Sequence, residues 1–448
     1  MATSPTNNRG NWNSKLGFIM AAAGSAIGLG NIWRFPTEAA SNGGGAFLIV
    51  YLVCCFLIGF PIMIAEFSIG RNTQKNPVGA YKSLSNNRFF PLVGVWGVIC
   101  GVMILSFYTI LAGWTFSHAL AEIFTFAGMP GVASFLSDTN DGFTNAFFAT
   151  LFMVATIMIV RGGISNGIER ATKLMLPLLA IILVILAIFV MFQPGATEGL
   201  RSYLRPDFSL IDSSVIMAAL GQAFFSLSLG MGTLVAYGSY LNKKVNVVGA
   251  AASITAIDMS VAFFAGLLIL PTISLAQGQG LEVYDAAGSL IAGPALIFQV
   301  LPQLFSQIGG VVGVLFGFSF FGVLSLAALT STISLLEVPT SYIIDEHNIP
   351  RKKATTSVGL GVLIISLIIS FNIGLIDLID YIFSVIGLPI GGLFICIFIG
   401  YFWKTQNALK EIRHGFDHVE ETWFYKIWPL FIKYICPVII ILVLLQSI

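Results

Sequence analysis

Charge is the scarcest ingredient of this chain. Only 10% of its 448 residues are Asp, Glu, Lys or Arg, against roughly 25% in a soluble globular domain, so no water-facing surface can be assembled from them. An excess of either sign is missing too: 22 basic residues face 21 acidic ones. With no basic cluster interleaved with aromatics, a nucleic-acid partner is not expected. The five cysteines (Cys54, Cys55, Cys100, Cys396 and Cys436) all sit inside apolar runs, which argues against a disulfide framework. No zinc spacing links them to the four histidines. His118, His347, His414 and His418 read as span-end or loop residues, and no nucleophile–base constellation or phosphate loop is present, so an enzyme is not expected. The first fourteen residues are polar and the run after Lys15 is Gly-rich without an A-x-A site, which does not read as a signal peptide.

What the chain has in abundance is apolar length. Hydrophobic residues make up 56% and the mean hydropathy is +0.90. A spanning helix needs about 20 apolar residues. Eleven segments qualify, approximately 15–40, 44–70, 90–125, 144–160, 166–192, 212–241, 245–276, 305–340, 354–371, 376–402 and 427–447. Cytoplasmic loops collect Lys and Arg. With the N-terminus inside, 18 of the 22 basic residues fall on the cytoplasmic side. Arg201 and Arg205 remain outside, and Arg34 and Lys433 lie within spans. An all-α polytopic membrane protein is expected, N-terminus cytoplasmic and C-terminus extracellular.

Two spans differ from the rest. The first contains GSAIGLGN (24–31) and the sixth FSLSLGMG (225–232). Each Gly costs roughly 1 kcal/mol in a helix interior relative to Ala, so both are weak at mid-membrane. Small residues also serve close helix packing in membranes. The alternative is a pair of broken helices whose freed main chain lines a site. Breaks in the first and sixth of ten spans suit two five-helix halves related by an inverted repeat. The expected organisation is a cytoplasmic segment 1–14, a first half 15–192, an extracellular loop 193–211, a second half 212–402, a cytoplasmic loop 403–426 and an eleventh span 427–448.

Trp12 followed by GSAIGLGNIWRFP (24–36), NGGGAF (42–47), GQAFFSLSLGMG (221–232) and AALTSTIS (327–334) resemble the neurotransmitter:sodium symporters, and among these the bacterial amino-acid members. The likeness runs from about Arg9 to the tenth span. It implies a LeuT-type 5+5 fold, alternating access around a midplane site, sodium as driving ion and an amino acid or amine as cargo.

By resemblance, one sodium is held by the carbonyl of Ala26, the side chain of Asn31, Ser226 and Asp258. A second is held by carbonyls of Gly24, Ile27 and Ala327 with the hydroxyls of Thr330 and Ser331. Hydroxyls in membrane helices also bond back to the preceding turn, which is the plainer reading of Thr330 and Ser331 in isolation. Many relatives carry Asn where Asp258 stands. A lone carboxylate at mid-membrane costs about 3 kcal/mol on insertion scales, so Asp258 is expected to be paired or protonated. It would supply the negative charge for which animal relatives use chloride, making chloride unnecessary, and would offer a site for a returning proton; a purely structural acid is the other possibility.

A zwitterionic substrate would place its carboxylate at the amides of Leu29 and Gly30, where a helix N-terminus favours an anion, and at the Tyr108 hydroxyl. Its ammonium would meet carbonyls of Ala26, Phe225 and Ser226 and the hydroxyl of Ser228. Ile104, Phe225, Met231, Ser331 and Leu335 would form the side-chain pocket. None is charged, so a charged side chain would be left unpaired there. Met231 adapts its shape, which points to aliphatic and aromatic side chains alike.

The resemblance also assigns gates. Arg34 would pair with Asp380 through water above a Phe225 and Tyr108 lid, with Asp377 assisting. On the inner side Arg9 would pair with Asp345 beneath Trp12, near Ser239 and Tyr240. Glu66 is expected to bond freed backbone near the breaks. Gly167 and Pro177 bracket a stretch of the fifth span that either kinks or unwinds to release the second sodium.

The function expected is sodium-coupled uptake of hydrophobic L-amino acids, with two sodium ions and no chloride. Each sodium entering down 100 mV yields about 2.3 kcal/mol, so two support roughly a thousandfold accumulation. The alternatives are a proton-coupled amino-acid carrier of the same fold and a non-transporting channel or sensor. Short loops and no outer disulfide suggest a prokaryotic plasma membrane.

Overall fold

The computed structural model describes residues 10–285, 290–291 and 293–447; Arg9 lies outside them. The described chain is helical, apart from one isolated bridge between Tyr284 and Leu290. Among the described residues, nine helices are long and apolar enough to cross a membrane, and a tenth span is made by a bent pair. In chain order the elements are α1 (Lys15–Ala26) and α2 (Gly30–Ser41), then α3 (Gly45–Thr73), α4 (Phe90–Phe126), α5 (Gly142–Arg161) and α6 (Ile164–Met191). The second half holds α7 (Ser213–Ser226), α8 (Thr233–Gly238), α9 (Val247–Gly278), α10 (Leu296–Ile308), α11 (Gly310–His347), α12 (Arg351–Ser370) and α13 (Leu375–Phe402). Short α14 (Thr405–Arg413) precedes α15 (Trp423–Leu445).

Both anticipated breaks are present. Helices α1 and α2 meet at 54° across Ile27–Leu29. Helix α7 stops at Ser226, and Ser228, Gly230 and Gly232 then take φ of +54°, +80° and +77°. Glycine adopts that region without the steric penalty a Cβ imposes. Gly230 has a second reason to be glycine: a Cβ there would lie 2.2 Å from the Leu388 carbonyl oxygen of α13.

One boundary moved. The eighth span begins at Gly310 rather than near 305, because Gly309 and Gly310 both have positive φ (+70° and +58°). Residues 305–308 belong instead to α10, a helix outside the eleven spans read from the sequence.

Helices α4, α5, α11 and α12 are joined by hydroxyl pairs: Thr115 to Ser325 at 2.9 Å, Thr109 to Ser366 at 3.0 Å and Thr156 to Thr332 at 2.9 Å. Each interhelical bond of this kind contributes about 0.6 kcal/mol in a membrane. At the opposite edge, Arg71 ends α3 fully buried. It forms a 2.7 Å ion pair with Glu411 of α14 and donates to the carbonyls of Val245 and His414.

Candidate functional site

The main chain at the first break is turned away from its helical partners. In a continuous helix the amides of Gly28 and Leu29 would bond the carbonyls of Gly24 and Ser25. Here Gly28 N–H donates to Asn31 Oδ1 at 3.2 Å and Leu29 N–H donates to the Tyr108 hydroxyl at 2.8 Å. Two carbonyls are thereby released at the centre of the bundle.

Asp258 of α9 is fully buried beside this break. It accepts from Asn31 Nδ2 at 2.7 Å, from Ser226 Oγ at 2.9 Å and from the Tyr51 hydroxyl at 3.2 Å. Tyr51 also donates to Ser226 Oγ at 2.9 Å. No basic side chain among the described residues pairs with Asp258. A buried carboxylate held only by neutral donors suits a bound cation, and this cluster fits the first sodium assignment. Asn31 presents its nitrogen to Asp258 and Ser226, while its Oδ1 accepts from Gly28 N–H and keeps a second lone pair.

Among the residues that the resemblance assigns to a second sodium, Thr330 Oγ1 donates to Ile27 O at 3.2 Å and to Ala327 O at 2.9 Å. It therefore bonds back to its own helix and reaches the first break as well. The Thr330 side chain also lies 3.4 Å from where a Gly24 Cβ would be, so Gly24, Ile27, Ala327 and Thr330 converge. Ser331 is turned differently. A Cβ on Gly28 would meet its Oγ at 2.4 Å and the Tyr108 hydroxyl at 2.6 Å, which places Ser331 beside Tyr108.

The groups assigned to one carboxylate, the Leu29 amide and the Tyr108 hydroxyl, are already in contact. The Phe225 ring lies over Gly30, where a Cβ would approach it to 2.7 Å. The Ser228 hydroxyl, buried at the second break, donates to Ser25 O at 2.9 Å. Above Phe225 opens a vestibule of about 470 Å³ lined by Leu29, Gly30, Arg34, Tyr108, Phe225, Asp377 and Asp380 among others. Arg34 forms no salt bridge with Asp377 or Asp380, and its guanidinium sits 4.8 Å from the Phe225 ring centre, within cation–π range. Ile104, Met231 and Leu335 do not line the vestibule; all three are buried.

The opposite end is closed. The Trp12 indole N–H donates to Tyr237 O at 3.1 Å, and its ring packs edge-on against Tyr237 and Tyr240. Ser239 donates to Ala236 O. Asp345 accepts from the Asn76 amide N–H at 2.8 Å and its side chain at 3.1 Å. Its assigned partner Arg9 lies outside the described residues.

Glu66 accepts from Gly230 N–H of the second break at 2.8 Å. Gly167 is required sterically, since a Cβ would fall 2.1 Å from Ile159 O. The turn Ile164–Glu169 is already widened to π-type, and Pro177 lies inside the helix that follows.

Several residues at these sites escaped the sequence reading. Tyr51 gave no signal, being one tyrosine in an apolar run. Gln222 stands within a quoted motif and donates to Gly30 O at 2.8 Å. Glu337, an acid within a span, accepts from the Tyr240 hydroxyl at 2.7 Å and forms a buried ion pair with Arg351. Glu169 accepts from Asn13 N–H at 2.8 Å, Ser14 Oγ at 3.0 Å and Lys173 Nζ at 2.6 Å, clasping the start of α1 to α6.

The profile of the Sodium:neurotransmitter symporter family matches residues 9–128 and 137–448. The chain is 34% identical to the uncharacterized sodium-dependent transporter YhdH of Bacillus subtilis (strain 168), over 98% of this chain and 97% of that one. It is 27% identical to the human Sodium- and chloride-dependent GABA transporter 2, over 96% of this chain and 77% of the relative. The crystal structure of MhsT in complex with L-phenylalanine superposes with a TM-score of 0.86 at 39% identity, covering 98% of this chain and 100% of that one. Broken helices, convergent oxygens and whole-chain similarity agree: this is a multi-pass membrane transporter that belongs to the sodium:neurotransmitter symporter family and uses sodium.

Proposed function

We propose that the chain imports hydrophobic L-amino acids, aliphatic and aromatic, with two sodium ions and without chloride, by alternating access. The observation that carries this reading is the meeting of the Leu29 amide and Tyr108 hydroxyl beside the Asp258–Ser226–Asn31 cluster. A substrate carboxylate set there would be met by main-chain and hydroxyl donors and by the first sodium together. The side-chain pocket would be formed by Ile104, Met231 and Leu335, which are buried and carry no charge. The L-phenylalanine in the MhsT crystal structure supports an aromatic cargo. Asp258 would replace the chloride that the GABA transporter's name records for that relative.

In this reading the vestibule beside Arg34 faces the exterior and the Trp12 seal faces the cytoplasm, in the plasma membrane of a prokaryote. Substrate and sodium enter past Phe225. Arg34 and Asp380 then close over them, and Trp12 withdraws on the other side. Asp258 keeps a second reading in view, proton-coupled carriage of the same cargo.

The test is uptake of radiolabelled leucine and phenylalanine into proteoliposomes with sodium replaced by potassium or choline, and separately with chloride replaced by gluconate. Uptake that needs sodium and ignores chloride is expected. Uptake driven by a pH gradient without sodium would instead establish the proton-coupled reading.

A further inference from the structure

Two buried serines outside the sodium and substrate assignments, Ser25 and Ser334, join Ser228 in a continuous chain across both breaks. Ser25 Oγ donates to Ser334 Oγ of α11 at 2.8 Å, and Ser334 Oγ donates to Ser331 O at 2.8 Å. Ser228 Oγ, at the second break, donates to Ser25 O at 2.9 Å. Their exposures are 3%, 2% and 6%, so water does not compete for these bonds.

The broken stretch releases the carbonyls of Gly24 and Ser25, and Ser228 claims that of Ser25. Gly24 is left beside Thr330. Ser25 is thus held at two points, its carbonyl by the second break and its side chain by Ser334. Ser25 stands in the last turn of α1, so these two anchors add to the helical ladder in fixing the peptide before it, which carries Gly24 O. Neither anchor touches the proposed ion.

We propose that Ser334 is a positioning residue for the second sodium site, orienting the Gly24 carbonyl through the Ser25 hydroxyl. The proposal rests on the sodium-coupled reading above. Removal of the Ser334 hydroxyl frees Ser25 Oγ to turn towards Ser228 Oγ, already 3.5 Å away. The fraying end of α1 then loses one restraint beyond its helical ladder, and ordering it becomes part of the cost of binding sodium.

The test is binding of ²²Na⁺ to purified full-length protein without amino acid, alongside sodium activation of uptake, for wild type, Ser334→Ala, Ser334→Thr and Ser25→Ala. Loss of one neutral hydrogen bond corresponds to roughly a fivefold to tenfold rise in half-saturating sodium. That rise is expected in Ser334→Ala, with amino-acid affinity at saturating sodium within about twofold of wild type, the scale of a few tenths of a kcal/mol. Ser334→Thr, which keeps the hydroxyl, should restore the wild-type curve. Ser25→Ala should reproduce the defect, and serves alone if Ser334→Ala does not fold. An unchanged sodium curve in the alanine variants overturns the proposal, as does a defect that threonine fails to rescue or that lowers both affinities equally. Wild-type protein that binds no ²²Na⁺ would overturn the sodium reading itself, and this proposal with it.

Discussion

Tyr51 and Asp258, 207 positions apart in sequence, are joined by a 3.2 Å hydrogen bond from phenol to carboxylate. The phenol belongs to α3 and the acid to α9, and both reach Ser226 at the end of α7. Among the described residues the carboxylate is surrounded by neutral donors alone, so no basic side chain neutralises it.

Asp258→Asn keeps the size and removes the charge. With Asp258 standing in for chloride, the variant should lose most uptake in chloride-free buffer and recover part of it when chloride is added. Matched uptake assays in gluconate and chloride decide this. Normal uptake by the variant in gluconate would end the idea that the acid replaces the anion.

Tyr108→Phe deletes the hydroxyl paired with Leu29 and intended for the substrate carboxylate. Hydrogen bonds to charged groups contribute about 1.5–3 kcal/mol, so substrate affinity should fall about tenfold to a hundredfold. Binding of ²²Na⁺ without amino acid should change little. Equilibrium binding of labelled leucine measures the first and the sodium isotope the second.

Met231→Phe replaces a flexible side chain by a rigid ring at a buried position. Uptake of phenylalanine should fall about tenfold relative to alanine or leucine, on the scale of overpacking costs of about 1–3 kcal/mol. Competition of each amino acid against labelled leucine reports the ratio. An unchanged ratio would show that Met231 does not border the side-chain pocket.

Pro177→Ala adds an amide donor to α6 and favours an unbroken helix there. If unwinding between Gly167 and Pro177 releases the second sodium, inward release should slow while outward-side binding is kept. Stopped-flow release with a sodium-sensitive dye distinguishes this from a passive kink, for which release kinetics would not change.

Arg71→Ala leaves Glu411 buried and unpaired. Removing one partner of a buried ion pair costs about 3–5 kcal/mol, so the variant should melt well below wild type in detergent. Thermal unfolding followed by size-exclusion fluorescence measures it. The effect should appear with or without sodium, since the pair lies away from both breaks.

The spans were legible because apolar length and basic-residue asymmetry are properties of short segments. The two breaks were legible because Gly and Ser weaken a helix wherever they cluster. What remained hidden depended on distant neighbours. Tyr51 became notable only once α3 was packed against α9, and Ser25 and Ser334 are separated by 309 positions. The boundary at Gly310 was missed because two glycines in an apolar run do not reveal their φ. Glu337 was the avoidable omission: an acid inside a span requires a partner, and Arg351 stands 14 residues later.

The threonine and serine pairs that join α4, α5, α11 and α12 have a mechanical implication. None involves a formal charge, so their strength is indifferent to voltage, to acidity and to the ions being carried. A frame fastened in this way keeps its shape while the cargo changes, and can act as the fulcrum. The jointed rods beside it, whose contacts include the buried Asp258 carboxylate, are left as the lever in the proposed cycle.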